Sequence, residues 1–159
     1  MGAKAEALAQ KFESKVQEAT GVFERLSDAD WTKTTASEKW TVGVVAHHIA
    51  VSHETLAGLV KMLADGTPGP NIPMDAIHAM NAKHAQEQAA CTKADTLALH
   101  KKNAVAAAAM LRGLDDAALD KSGNVLAGMS PMSAGQLAGG LLPGHIEEHL
   151  KSIRATAGA

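Results

Sequence analysis

At 159 residues, 46% of them apolar, the chain is long enough to bury one hydrophobic core, and a single domain over 1–159 is expected. Fifteen basic residues against seventeen acidic ones give a formal charge of −2, without the basic excess that a nucleic-acid partner requires. The lone Cys91 excludes an internal disulfide and no apolar run reaches bilayer length. With no charged-then-apolar leader at the start, a reducing cytoplasm is the expected compartment, with no membrane partner.

Alanine is abundant, aromatics make up 3% and tyrosine is absent, which suits closely packed helices better than sheets of β-branched and aromatic residues. The expected fold is all-α. A first helix is predicted over 3–26, because Leu8, Phe12, Val16, Ala19, Phe23 and Leu26 recur every three or four residues. Ser27-Asp28-Ala29-Asp30 stops it, and a polar stretch without period, Trp31 to Lys39, follows. Thr41 then caps a second helix reaching Ala64, which the turn Asp65-Gly66-Thr67-Pro68-Gly69-Pro70 ends. Val45, His48, Ser52, Leu56, Leu59 and Leu63 form its inward stripe, which Val44, Ile49 and Val60 widen. His47 lies about 100° around the helix and His53 is also displaced, so both are expected on the flank or surface, with His53 within reach of a pocket rim.

Residues 73–90 read as a shorter, more polar helix that contains His78 and His84, a lid rather than a full bundle member. Thr92 caps a third long helix over 93–114, with Leu97, Ala104, Ala108 and Leu111 facing the core and His100 close to that face. Residues 115–132 are irregular apart from a turn of helix near Leu119. Ser133-Ala134-Gly135-Gln136 is a capping box that opens the last helix, which runs to about Thr156. Gly139, Gly140, Pro143 and Gly144 predict a kink there, freeing carbonyls and making room just before His145.

His145 and His149, four residues apart, stand one above the other on that helix, beside Leu141, Leu142, Ile146, Leu150 and Ile153. Stacked imidazoles of this kind can grip one divalent ion, and His48 on the second helix is the candidate third ligand. Three imidazoles leave a coordination position open, as in a catalytic zinc site. Histidines satisfied by hydrogen bonds inside a bundle explain the same residues, and sequence geometry leaves both readings open. Two other metal readings fall away. No Glu has a His three residues later, as a di-iron bundle needs, and His53-Glu54 lacks the second His of a metalloprotease helix.

The stretch Trp40-Thr41-Val42-Gly43-Val44-Val45-Ala46-His47-His48-Ile49, together with the terminal His145-x-x-x-His149, resembles the DinB-like superfamily. That superfamily includes the YfiT-type proteins and the metal-dependent domain of mycothiol-dependent maleylpyruvate isomerases. Specific matches cover about residues 40–53 and 141–154, while the helix layout matches along essentially the whole chain. The resemblance implies an up-down-down-up four-helix bundle with a long crossover holding a short extra helix, and often a homodimer. It also implies His48, His145 and His149 as ligands of a divalent metal, zinc first and nickel second.

By the same resemblance, the function implied is a metal-dependent enzyme that uses a low-molecular-weight thiol such as bacillithiol, mycothiol or glutathione. It would transfer sulfur to, or isomerise, a small electrophilic substrate. His84, His53 and Arg154 are then candidates to orient thiol or substrate. The plainer expectations are a surface position for His84, a helix-end cation for Arg154 and a bundle-sealing role for Trp40. Two alternatives stand beside the enzyme: metal-assisted hydrolysis without thiol, and a non-catalytic, stress-related bundle with a structural metal. Cys91 is expected to be an inert thiol at a helix end.

Overall fold

Helical periodicity in the sequence becomes seven helical segments in the computed structural model, which describes residues 2–158. They are α1 (Ala3–Arg25), α2 (Asp28–Trp31), α3 (Val42–Ala64), α4 (Met74–Glu87), α5 (Lys93–Arg112), α6 (Ala134–Gln136) and α7 (Leu142–Ala157). A five-residue π-helical segment, Leu137–Leu141, joins the last two into one rod. A 3-10 turn at Ala118–Asp120 precedes two short antiparallel strands, β1 (Ser122–Gly123) and β2 (Met132–Ser133).

The long helices α1, α3, α5 and α7 form the bundle, with α1 and α3 each packed against both α5 and α7. Cross-helix contacts give the directions. Glu6 meets Arg112 while Lys101 meets Glu24, so α1 and α5 are antiparallel. Asn103 Nδ2 donates to the Ala50 carbonyl and Asp65 lies with Gly113 beside one cleft, so α3 and α5 run the same way. Lys15 meets Glu147 and Arg154 meets Glu18, so α7 runs with α1. This is the up-down-down-up order, and the parallel pair α3/α5 requires the long crossover that carries α4.

Phe12, Phe23, Ile49, Leu63, Leu111, Leu142, Ile146, Leu150 and Ile153 are enclosed at the centre. Burying a side chain of that size contributes about 1.5–3 kcal/mol, so the apolar seam dominates. The ion pairs of Arg112 with Glu6 and Glu13 lie at the surface, where water and side-chain entropy offset most of the attraction.

Two local departures from expectation bear on the site. The buried arc of α3 is broader than the predicted stripe: Val45, His48, Ser52 and Leu63, flanked by Val44, Ile49 and Val60, are buried as expected, and Ala46, His53, Ala57 and Ala64 are buried beyond it, whereas Leu56 and Leu59 are only partly so. Small residues accompany the broadening: Ala50 and Ala57 on α3 and Ala104, Ala107 and Ala108 on α5 are buried where these two helices pack together. The stretch after α1 is also structured. Ser27 opens α2 with a capping box closed by Asp30, and a bridge between Thr34 and Thr41 ties the loop back to the start of α3. Trp31 packs against that start. A Cβ on Gly43 would come within 2.3 Å of the indole, so a glycine is what fits.

Candidate metal centre

Thr41 caps α3 by accepting a hydrogen bond from Val44 N at 3.3 Å, and His48 follows two turns later. On the other side of the bundle Ser133 and Gln136 close the predicted capping box. The expected kink takes the form of the π-helical segment. An extra residue in a helical turn advances every later side chain by about 100°, which sets the face that His145 and His149 present. Pro143 has no N–H to return to the Gly139 carbonyl, and Lys11 Nζ takes that carbonyl at 2.6 Å. The freed group therefore serves the seam with α1 and not the site. Gly139 itself is pressed against Leu8, 2.9 Å from where a Cβ would lie.

His48, His145 and His149 meet, each offering one ring nitrogen, with the three nitrogens within 4.8 Å of one another. His48 Nε2 is 3.1 Å from His145 Nε2, and the His145 and His149 ring centroids are 4.5 Å apart. Burial, then the neighbouring imidazoles, hold His48 down to about 3. Burial, followed by His149 and His53, does the same for His145. Both rings are thus neutral at pH 7, the state a metal ligand requires. Trp40 packs edge-on against His48 at a centroid distance of 5.4 Å. Three ring nitrogens from two helices, in a half-enclosed setting, fit a divalent ion.

The other histidines sit differently from the sequence reading. His84, expected at the surface, is half-buried where α4 rests on α3, and shares a 2.8 Å hydrogen bond with His47. Its ring centroid is 5.7 Å from that of His48, and its Nδ1 is enclosed without a partner among the described residues. His47 is accordingly covered on one side. His53, expected on the flank, is 1% exposed. Its Nε2 shares a 2.9 Å hydrogen bond with His100 Nδ1, and Thr20 Oγ1 is 2.9 Å from the far nitrogen of His100. His53 belongs to the buried arc of α3 that packs against α5, so it is not on a pocket rim. Arg154 pairs with Glu18 at 2.8 Å on the α1/α7 seam, away from the three histidines.

A residue the sequence did not signal is Glu38, from the loop before α3, whose carboxylate lies 3.6 Å from His149 Nδ1. No period or motif marks that loop; only the fold brings it under α7. A cleft of about 840 Å³ opens beside the centre, with His145 and Glu148 on one wall and Met129, Pro131, Met132 and Leu141 among its apolar lining. Cys91 is half-buried, and burial pushes its thiol up.

Residues 12–142 match the family model described as the mycothiol maleylpyruvate isomerase N-terminal domain, a stretch that includes His48 and ends before His145. Comparison with curated proteins finds no match. Among solved structures the chain is similar to YfiT from Bacillus subtilis, described as a probable metal-dependent hydrolase with an unusual four-helix bundle topology. That likeness covers 99% of this chain and 90% of the other with a TM-score of 0.72; at 17% identity it speaks for the fold. With the family model spanning most of its length, the chain belongs to the mycothiol maleylpyruvate isomerase N-terminal domain family.

Proposed function

We propose that the protein is a metal-dependent enzyme in which His48, His145 and His149 hold one divalent ion, zinc or alternatively nickel. It would use a low-molecular-weight thiol to transfer sulfur to, or isomerise, a small electrophile. The observation that carries this reading is the convergence of three imidazoles beside an open, largely apolar cleft. An ion bound there supplies Lewis acidity, lowering the pKa of a thiol or water at the position the histidines leave open.

The chain's own residues define what surrounds that position. Met129, Met132 and Leu141 offer an apolar wall that accepts a carbon skeleton, while His145 marks the end nearest the centre. His47 and His84 form the neighbouring polar edge and are candidates to orient a substrate. Family membership supports a thiol as the co-substrate, since the family's name joins mycothiol to an isomerase. The homodimer implied by the resemblance belongs to the same proposal.

The test combines elemental analysis with turnover of a thiol-reactive electrophile, in the presence and absence of glutathione, bacillithiol and mycothiol. Turnover that needs both thiol and metal supports the proposal. Thiol-independent, chelator-sensitive cleavage of an ester or amide would favour a second reading, metal-assisted hydrolysis. The structural likeness to YfiT, described as a probable metal-dependent hydrolase, supports that reading. Protein purified in the presence of zinc that holds none would sink both.

A further inference from the structure

Glu38 belongs to no helix and to no recognised motif, yet its side chain is only 10% exposed. Carboxylates that deep are rare unless paired. Among the described residues no lysine or arginine lies within ion-pair distance of it. Its two oxygens have separate neighbours: Oε2 accepts a hydrogen bond from Ser152 Oγ at 2.8 Å, and Oε1 faces His149 Nδ1 at 3.6 Å. Ser152 lies one turn after His149 on α7 and is itself buried, so one helix supplies both the anchor and the target.

The loop is built to hold this placement. Val42 N donates to the Lys33 carbonyl and Thr35 N to the Trp40 carbonyl, both at 2.8 Å, closing a narrow turn. Lys39 adopts the left-handed conformation, with φ of 65°, which redirects the chain between Glu38 and Trp40. The same turn thus sends Glu38 beneath His149 and Trp40 against His48.

His149 Nδ1 is enclosed and has no hydrogen-bond partner among the described residues. If His149 binds an ion through Nε2, the neutral ring carries its proton on Nδ1, and that N–H needs an acceptor. Glu38 Oε1 is the acceptor in place, a few tenths of an ångström beyond hydrogen-bond range. We infer that Glu38, anchored by Ser152, is a positioning residue that sets the tautomer and orientation of His149 for metal binding. Carboxylate–histidine–metal relays of this kind raise the donor strength of the ring and stiffen it. This role rests on the metal reading above.

The experiment compares wild type with Glu38→Gln, Glu38→Ala and Ser152→Ala. Zinc affinity is measured by competition with a chromophoric chelator, the visible bands of the cobalt(II)-loaded protein report ligand geometry, and melting of the metal-free protein reports the fold. The expected result is a 10- to 100-fold loss of zinc affinity in Glu38→Ala, with shifted cobalt bands. Glu38→Gln, whose amide oxygen still accepts from Nδ1–H, and Ser152→Ala lose less but in the same direction. Should Glu38→Ala fail to fold, those two variants carry the test. Zinc affinity within about threefold of wild type, with unchanged cobalt bands, overturns the role even if melting falls. Wild type that binds no zinc overturns the metal reading and this role together, whereas full wild-type loading with unaffected variants overturns this role alone.

Discussion

His48 Nε2 stands 3.1 Å from His145 Nε2, across 97 positions of sequence and between two helices that run in opposite directions. Two bare lone pairs that close would repel, so the contact calls either for an N–H on one ring to donate to the other or for a cation shared between them. The third imidazole, His149, turns the pair into a triangular donor set.

Replacing one member of that set should empty it. His149→Ala is expected to lose most bound metal, with affinity down by more than about 100-fold, because a ligand counts for more than its supporting residues. His47→Ala should keep close to the wild-type metal content, since its ring bonds to His84. Elemental analysis of the purified variants checks both, and equal loss in the two would contradict His48 as the ligand on α3.

Acid should destabilise the metal-free protein well above the carboxylate range. Burial holds His53 down to about 3 and His100 down to about 4, whereas an unfolded histidine titrates near 6.5. Between those values the unfolded chain binds the proton and the folded chain does not. The stabilisation is therefore complete above pH ~6.5 and is lost progressively as pH falls through ~4 towards ~3. Urea unfolding at a series of pH values measures the slope, and His100→Gln should flatten it whatever it does to stability at pH 7.

Gly43→Ala should weaken the junction between the loop and α3. The added methyl meets the Trp31 ring at 2.3 Å and must displace it, together with the hydrogen bond that Trp31 Nε1 donates to the Cys91 carbonyl. Overpacking of this kind costs about 1–3 kcal/mol. Thermal melting, at roughly 2–4 °C per kcal/mol for a chain of this size, reads the loss. No change in melting would mean that the indole moves freely.

Cys91 should react slowly. Its thiol is half-buried and pushed up by that burial, so little thiolate exists at neutral pH. Alkylation by iodoacetamide at pH 7 is expected to be slower than that of a free cysteine. A faster rate would point to an activated thiol and to a role near α5 that the packing does not suggest.

How much of this was legible in residues alone varied with the physics involved. The four long helices follow from periodic apolar residues, and Thr41, Thr92 and Ser133 cap their helices as the local chemistry dictates. His145 and His149 share a face simply because they are four apart on a helix. Positions decided by alanine were harder to see: Ala50, Ala57, Ala104 and Ala107 carry little hydrophobic weight, yet they are buried where α3 packs against α5. That contact buries His53 and His100, although the stripe of leucines pointed elsewhere.

By itself, then, the sequence determined an alanine-rich helical bundle and three histidines able to share a donor set. Local propensity and helical period need only neighbours along the chain. Tertiary structure alone decided that Glu38 lies under His149, that His84 rests on His47, and that the cleft opens beside His145. Those relationships join segments tens of residues apart, and their geometry depends on how closely helices pack and how a π-helical turn rotates the face beyond it.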